Sequence, residues 1–306
     1  MSAQKLEQLR SQVKKLDSIS TAPVILQPLL EILRLPAESI NFDKVVELVS
    51  YDGAIAAQCL RLANSPLFGR REVESVRSAV MALGLQRVRS MLFGLCMNQV
   101  LPKDKWVFEP VLFWRHSLGC ALVTQRMAQT IGYAEPEKAY LAGLLHDLGL
   151  LVNSLLCTEG YRKCWANATE THRALHLCEQ EILGFTHTDS GRLLADHWRL
   201  PPDLCEVTYG HHNPELLPSP NPLTCLVHVS DLLCRVRYLG YGYDEIMGVE
   251  LGGQSAWQTL VKMHPTLAEM DVARFTMDID GTMDQIVATV DAVFGAGSAT
   301  QAQAAK

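Results

Sequence analysis

Helical periodicity runs through almost the whole chain and limits what it can fold into. In residues 40–52, INFDKVVELVSYD, Asn41 is a suitable N-cap, and Val45, Leu48 and Val49 recur at the i, i+3, i+4 spacing of one helix face. No set of alternating strands accompanies these segments. Prolines stand where further helices should begin, at Pro110, Pro136, Pro201, Pro202 and Pro222. We therefore predict an all-α protein.

The length and composition allow more than one helical unit. With 306 residues, of which 48% are hydrophobic and 20% charged, the chain is long enough for one large or two ordinary domains. The polar, proline-bounded segment PKDKWVFEP is the best candidate for a junction. The predicted units are an N-terminal helical subdomain (1–107), a second helical bundle (108–240), a C-terminal helical extension (241–294) and a small, polar, disordered tail (295–306).

Charge and cysteine usage narrow the function classes. A net charge of −6 gives no general attraction to nucleic acid or to an anionic membrane. No uninterrupted run of about 18 uncharged apolar residues predicts a membrane span, and the amphipathic first helix lacks the apolar core of a signal peptide. The nine cysteines form no CxxC pair and are expected to be reduced thiols. We expect a cytoplasmic protein.

A His-Asp pair, His146 and Asp147, interrupts the apolar run LAGLLHDLGLL. Burying either side chain without a partner costs several kcal/mol. The pair must therefore be hydrogen-bonded, lie at a helix end open to water, or bind a metal.

Further histidines and an aspartate could join this pair. Imidazole and carboxylate groups are good ligands for zinc, manganese or iron, and two such ions can clamp a phosphate ester and activate a water. A single helical histidine is more often a hydrogen-bonded core residue, so the hypothesis depends on the joint occurrence of the set. The candidate ligands are His116, His146, Asp147, His187, His211, His212 and Asp231. The other histidines are given structural roles: His172, His176, His197, His228 and His264.

Five separated blocks together resemble the HDOD family, over roughly residues 15–235. They are LRLANSPLFG (60–69), SAVMALGLQRVRSM (78–91), FWRHSLGCA (113–121), AGLLHDLGLL (142–151) and HTDSGRLLADHWRLPPDLCEVTYGHHNP (187–214). The resemblance implies an N-terminal helical subdomain packed on an HD-like helical bundle, in a bacterial signal-transduction context. HDOD domains are regarded as regulatory modules, whereas the related HD and HD-GYP domains hydrolyse phosphate esters with bound metals.

The resemblance also implies roles for the candidate ligands. His116, His146, Asp147 and Asp231 match the basic HD ligand set, with Asp147 as the bridging carboxylate. His187, His211 and His212 resemble the additional ligands of the HD-GYP group. The implied cofactor is one or two divalent ions, with iron, manganese, zinc and nickel left open.

Three departures affect the catalytic side of the pattern. Active relatives commonly carry a lysine three residues after the aspartate of the pair, where this chain has Leu150. HHNPELLPSP stands in place of the Gly-Tyr-Pro motif. Leu112 stands where a carboxylate for a third metal is expected. A metal site can survive these changes, but its substrate-binding groups are depleted.

A locally basic stretch offers a different kind of site. It either forms a surface for an acidic partner or a nucleotide, or it consists of solvated helix faces with weak ion pairs, and we favour the second interpretation. Its arginines are Arg61, Arg70, Arg71, Arg77, Arg87 and Arg89.

Three functional hypotheses follow. The preferred one is a cytoplasmic regulatory module that binds a signalling partner, with a metal at the HD-type site. The alternative is a metal-dependent phosphohydrolase acting on a nucleotide or cyclic dinucleotide, with Asp147 essential. The third is a receptor that binds a nucleotide or phosphate without turnover. The oligomeric state and the role of the C-terminal extension are left open.

Overall fold

The computed structural model is helical wherever it has regular structure, as predicted. It describes residues 3–14, 39–51, 53–68, 72–85, 87–88, 105–242, 250–264 and 272–295, with the single residues 31, 35, 92 and 267. The α-helices are α1 (Ala3–Val13), α2 (Phe42–Tyr51), α3 (Gly53–Ala63), α4 (Val76–Leu83), α5 (Pro110–Thr130), α6 (Pro136–Leu145), α7 (Leu148–Leu156), α8 (Thr158–Thr171), α9 (Leu175–Ile182), α10 (His187–His197), α11 (Pro202–Gly210), α12 (Pro222–Val236), α13 (Ser255–Met263) and α14 (Val272–Phe294).

Local sequence signals set several of these helix ends. Asn41 caps α2, since its side-chain oxygen accepts a hydrogen bond from the backbone N–H of Lys44 at 3.1 Å. The predicted prolines open their helices, where a missing N–H costs nothing. Gly84 ends α4 with a φ of 83°, a conformation that side chains with a Cβ rarely adopt. Helices α5, α6, α11 and α12 begin at Pro110, Pro136, Pro202 and Pro222.

Helix α5 is the central element of the core. Most of its residues from Phe113 to Ala128 are buried, because α6, α12 and α14 all pack against it. The contact with α6 is close: a Cβ at Gly143 would lie only 2.7 Å from the backbone oxygen of Cys120. This packing brings the carboxyl-terminal end of α6 beside the middle of α5.

A second close contact joins α7 to α10. A Cβ at Gly149 would overlap the carbonyl oxygen of His187 and lie 2.6 Å from its carbonyl carbon, so only glycine fits there. The start of α7 and the start of α10 therefore meet backbone to backbone.

One apolar segment of the described residues is long enough to cross a membrane but lies inside the protein. Pro136–Leu156 is long and apolar enough, by length and composition, to cross a membrane, but 89% of its most apolar window is buried in the fold. It is also two helices, α6 and α7, separated by His146 and Asp147.

The terminal helices pack on the rest of the molecule. In α1, the Lys5 ammonium donates to the carbonyl oxygen of Leu183 at 2.8 Å. On α14, Asp291 forms a 2.6 Å ion pair with Arg115 of α5, which is 2% exposed. The domain boundaries at 107/108 and 240/241 remain predictions. Residues 296–306 of the predicted tail lie outside the described residues.

Two arginines of the basic stretch have partners within the described residues. Arg77 pairs with Asp43 at 2.8 Å on the surface. Arg87 donates to the side-chain oxygen of Gln125 at 2.7 Å and lies over the Tyr140 ring. These contacts agree with the second interpretation of this stretch, in which its arginines serve the fold rather than bind an acidic partner. Arg70, Arg71 and Arg89 lie outside the described residues.

Candidate metal centre

The His-Asp pair forms the link between α6 and α7. His146 follows the last residue of α6 and Asp147 precedes the first residue of α7, and both side chains are buried. Helices α5, α10, α11 and α12 direct further histidines and an aspartate toward Asp147. All seven candidate ligands predicted from the sequence meet at this point.

One oxygen of Asp147 faces a cluster that we call the first half-site, formed by His116, His146 and Asp231. His116 Nε2 lies 3.3 Å from His146 Nε2 and 3.3 Å from Asp231 Oδ1. Asp147 Oδ2 lies 3.6 Å from His116 Nε2 and 3.1 Å from His146 Nε2. Two imidazoles and two carboxylates therefore converge on one small space.

The other oxygen of Asp147 faces the second half-site, formed by His187, His211 and His212. Asp147 Oδ1 lies 3.3 Å from His187 Nε2 and 3.1 Å from His211 Nε2. His187 Nε2 and His212 Nε2 are 2.9 Å apart. Asp147 thus joins the two half-sites through its two oxygens, in the position of a bridging carboxylate.

Four of the imidazoles are oriented through their outer nitrogen. When Nδ1 carries the hydrogen and donates it outward, Nε2 is left facing Asp147, which is how metal-ligating histidines are usually held. The acceptors are the backbone oxygens of Leu239 for His116 (2.6 Å), Gly143 for His146 (2.8 Å) and Val207 for His211 (3.2 Å), and the carboxylate of Glu179 for His187 (2.7 Å).

The donor atoms fit a metal ion. Four nitrogen and oxygen ligands at the usual zinc bond lengths of about 2.0–2.2 Å, in tetrahedral arrangement, lie about 3.3–3.6 Å from one another. The first half-site has donor separations of 3.1–3.6 Å. Within the described residues, the buried atoms Asp147 Oδ1 and His211 Nε2 have no hydrogen-bond partner, although they are 3.1 Å apart. An ion between them would satisfy both.

The carboxylates are held in the ionised form that a metal requires. Burial favours the neutral acid, but the neighbouring imidazoles, His146 foremost, outweigh it and hold the pKa of Asp147 well below its usual range. Burial also favours the neutral form of Asp231. The Arg235 guanidinium and His116 outweigh this effect and hold the pKa of Asp231 below its usual range.

Neighbouring histidines of the centre differ in protonation state. Burial would lower the pKa of His187, but the carboxylates of Glu179 and Asp147 raise it to about 10. Burial lowers the pKa of His211 to about 4 and holds that of His212 well below its usual value. His211 and His212 are therefore neutral at pH 7, whereas His187 must lose a proton before Nε2 can bind a cation.

A small cavity of about 20 Å³ borders the centre and brings in residues that the sequence analysis did not assign to it. The Tyr241 hydroxyl donates to Asp147 Oδ2, and its ring lies 4.5 Å from that of His116. Arg235 donates to Asp231 Oδ2 at 2.6 Å. Arg235 could have been found from its i+4 position after Asp231, whereas Tyr241 comes from the segment after α12 and carries no local signal.

His176, to which the sequence analysis gave a structural role, lies beside the centre. Its ring stacks on that of His212, with centroids 4.3 Å apart, and it lines the same cavity. Leu150 also lines the cavity, so the position where active relatives have a lysine faces the centre but carries no charge.

The family can be established from comparison with known proteins. The HDOD domain model matches residues 19–214, which is more than half of the chain. The chain belongs to the HDOD family. An uncharacterised protein of Treponema pallidum (strain Nichols) is 26% identical over 234 residues, covering 75% of this chain but only 45% of that relative. This HDOD chain therefore matches less than half of the relative's length.

Solved structures share the fold over almost the whole HDOD chain. An HDOD domain protein of unknown function from Geobacter sulfurreducens has a TM-score of 0.78 at 26% identity, with 96% of this chain and 99% of that chain covered. A protein from Shewanella amazonensis SB2B, named as a candidate phosphohydrolase, has a TM-score of 0.69 at 22% identity, with 96% and 99% covered. The second likeness shows the fold alone.

Proposed function

We propose that this HDOD protein is a cytoplasmic, metal-binding regulatory module that acts in bacterial signal transduction by binding a partner protein or a small ligand. The observation that carries the proposal is Asp147, whose two oxygens each face a separate set of imidazoles at 3.1–3.6 Å. Such a buried arrangement is costly without an ion and is well suited to holding one or two divalent cations. When bound, these ions would hold together six helices: α5, α6, α7, α10, α11 and α12.

The surroundings of Asp147 favour binding over turnover. A cavity of about 20 Å³ has room for about one water rather than a phosphate ester. The Tyr241 hydroxyl donates to Asp147 and lines the same cavity. Leu150 removes the cation that would meet substrate charge.

Metal-dependent phosphoester hydrolysis is the second candidate function. Arg235 favours it, because this residue lines the cavity beside Asp231 and its guanidinium can bind a phosphate oxygen. The Shewanella amazonensis protein of similar fold is named as a candidate phosphohydrolase, which is the other reason to test for this activity.

Metal content is the first test. Protein purified without chelator or nickel resin, from cells supplied with iron, manganese and zinc, should contain one or two metal ions per chain by mass spectrometry. Asp147→Ala should contain almost none. Asp196→Ala is a matched control, because Asp196 is exposed and pairs with Arg192 on the same helix, so its metal content should equal the wild type's. Metal-free wild type would contradict the proposal.

A panel of phosphodiesters and nucleotides separates the two functions. The metal-loaded wild type should hydrolyse none of them, and any nucleotide or phosphate that acts as its ligand would raise the melting temperature. Hydrolysis that disappears in Asp147→Ala would replace the regulatory proposal with the phosphohydrolase. Capture of a partner protein that is lost on changing surface residues but is indifferent to Asp147→Ala would favour the regulatory module.

A further inference from the structure

Cys120 lies one helical turn after His116 on α5. Residues four apart on a helix share a face, so the thiol and the imidazole point into the same space. Cys120 Sγ lies 3.4 Å from His116 Nε2, the nitrogen that also faces His146 and Asp231. The Cys120 side chain is fully buried. A sulfur atom therefore belongs to the group of donors that forms the first half-site.

Cys120 is a fifth donor beside His116, His146, Asp147 and Asp231, and four of these five groups are mutually close. One atom each from His116, Cys120, His146 and Asp231 lies within 4.8 Å of every other. With a zinc–sulfur bond of about 2.3 Å and a zinc–nitrogen bond of about 2.0 Å, tetrahedral sulfur and nitrogen ligands lie about 3.5 Å apart, near the 3.4 Å between Cys120 and His116. The separation between the Cys120 thiol and the His116 imidazole is therefore that of two ligands of one ion.

We propose that Cys120 is a thiolate ligand of the first half-site and makes this half-site selective for zinc over manganese and magnesium. The inference rests on the proposed metal-binding function and deepens it by naming the class of ion. Thiolate is a soft ligand that prefers zinc to the harder ions, which prefer oxygen donors. On binding, the Sγ–H bond breaks, the proton passes to the buffer, and sulfur forms a bond to the ion.

Cys234 provides an internal comparison. It lies on α12, is buried, and hydrogen-bonds to Cys120. It is not one of the four donors that lie mutually within 4.8 Å. Cys120→Ser and Cys234→Ser therefore make the same chemical change at two touching buried thiols, of which one is assigned to the metal.

Cobalt substitution tests the assignment directly. Co²⁺ is a spectroscopic substitute for zinc, and a thiolate bound to it gives an intense near-ultraviolet charge-transfer band that imidazole and carboxylate ligands do not give. Wild type and Cys234→Ser should show this band when Co²⁺ is added to metal-free protein. Cys120→Ser should lose the band while still binding Co²⁺ by mass spectrometry. Its affinity for Zn²⁺ should fall by more than about tenfold, with little change for Mn²⁺.

The outcomes distinguish the two proposals. Stoichiometric Co²⁺ without a charge-transfer band in the wild type would overturn the role of Cys120 and leave the metal-binding function standing. A band lost in Cys234→Ser but kept in Cys120→Ser would also overturn it. If neither Co²⁺ nor Zn²⁺ binds to the folded wild type, the metal-binding function itself fails. Circular dichroism of each variant shows whether it is folded.

Discussion

Glu179 is a buried carboxylate that holds His187 by two contacts. One oxygen, Oε2, accepts hydrogen bonds from both Nδ1 and the backbone N–H of His187, each at 2.7 Å. The other oxygen accepts from the Asn153 amide at 3.3 Å. A carboxylate in this position fixes the ring of a metal-binding histidine and makes its other nitrogen a better ligand.

Glu179→Gln should weaken metal binding at the second half-site. We expect the affinity to fall about 10- to 100-fold, the usual cost of losing an outer partner of a histidine ligand. Competition with a chromophoric chelator measures the change. Glu181→Gln is the control on the same helix, because Glu181 is exposed and pairs with Arg173. Equal effects of the two substitutions would contradict the role given to Glu179.

Metal binding should also release protons. The pKa of His187 is raised to about 10 in the absence of metal, so its Nε2 carries a proton at pH 7 that must leave when an ion binds. Affinity should therefore rise with pH, by about tenfold per unit for each proton displaced, between about pH 6 and 8. Calorimetry in two buffers with different ionisation enthalpies counts the protons. Metal binding without proton release at pH 7 would contradict the protonation state of His187.

At the scale of helices, the centre depends on how closely α7 approaches α10. Gly149 permits this approach, since any larger residue would overlap the backbone of His187. The same contact sets the distance from Asp147, one residue before α7, to His187 at the start of α10.

Gly149→Ala should destabilise the protein by about 1–3 kcal/mol or more, because the added methyl group must push two helices apart. Gly281→Ala is the control within α14: no atom lies within 4 Å of the new Cβ, so it should be neutral or stabilise the fold by about 0.5–1 kcal/mol. Urea unfolding of both variants measures the difference. Similar free energies of unfolding would show that α7 and α10 can separate without cost.

The sequence predicted the helices and the candidate ligands better than the contacts between helices. Prolines and apolar spacing are local signals, and the seven candidate ligands could be named because their residue types and family motifs are distinctive. Tyr241 and His176 reach the centre only through the packing of distant segments, which no local pattern encodes. The four-residue spacing from His116 to Cys120 could have indicated that the thiol lies near the centre, but a cysteine in an apolar helix is usually a core residue.

At the scale of the whole molecule, the C-terminal helix is tied to the helix that carries His116. Arg115, the residue before His116, is buried and forms its ion pair with Asp291 of α14. Helix α14, which lies beyond the region matched by the family model, therefore packs against the helix that carries His116.

Asp291→Asn should cost about 3 kcal/mol, because it leaves a buried guanidinium without its counter-charge. Asp284→Asn on the same helix removes the ion pair of an exposed carboxylate with Arg237 and should cost under about 1 kcal/mol. Thermal and urea unfolding compare them. If Asp284→Asn were the more harmful, the stabilising contact of α14 would lie elsewhere than at Arg115.

Metal should stabilise the entire fold, since its ligands come from elements spread between residues 116 and 231. An ion supplied at about 100 times its dissociation constant adds about 2.7 kcal/mol, or about 5 °C in melting temperature. Differential scanning calorimetry with added zinc and then with excess chelator should show the rise and its reversal. Asp147→Ala should show neither, and an unchanged wild-type melting temperature would contradict the expectation.

The position of Asp147 between the two half-sites has a consequence for how they fill. A free carboxylate can rotate, but one whose Oδ2 is held by an ion has its Oδ1 fixed toward His187 and His211. The first ion thus removes an entropic cost for the second, while the repulsion between two cations opposes it. If ions fill both half-sites, the two binding events would be coupled through Asp147, because each ion would bind a different oxygen of the same carboxylate.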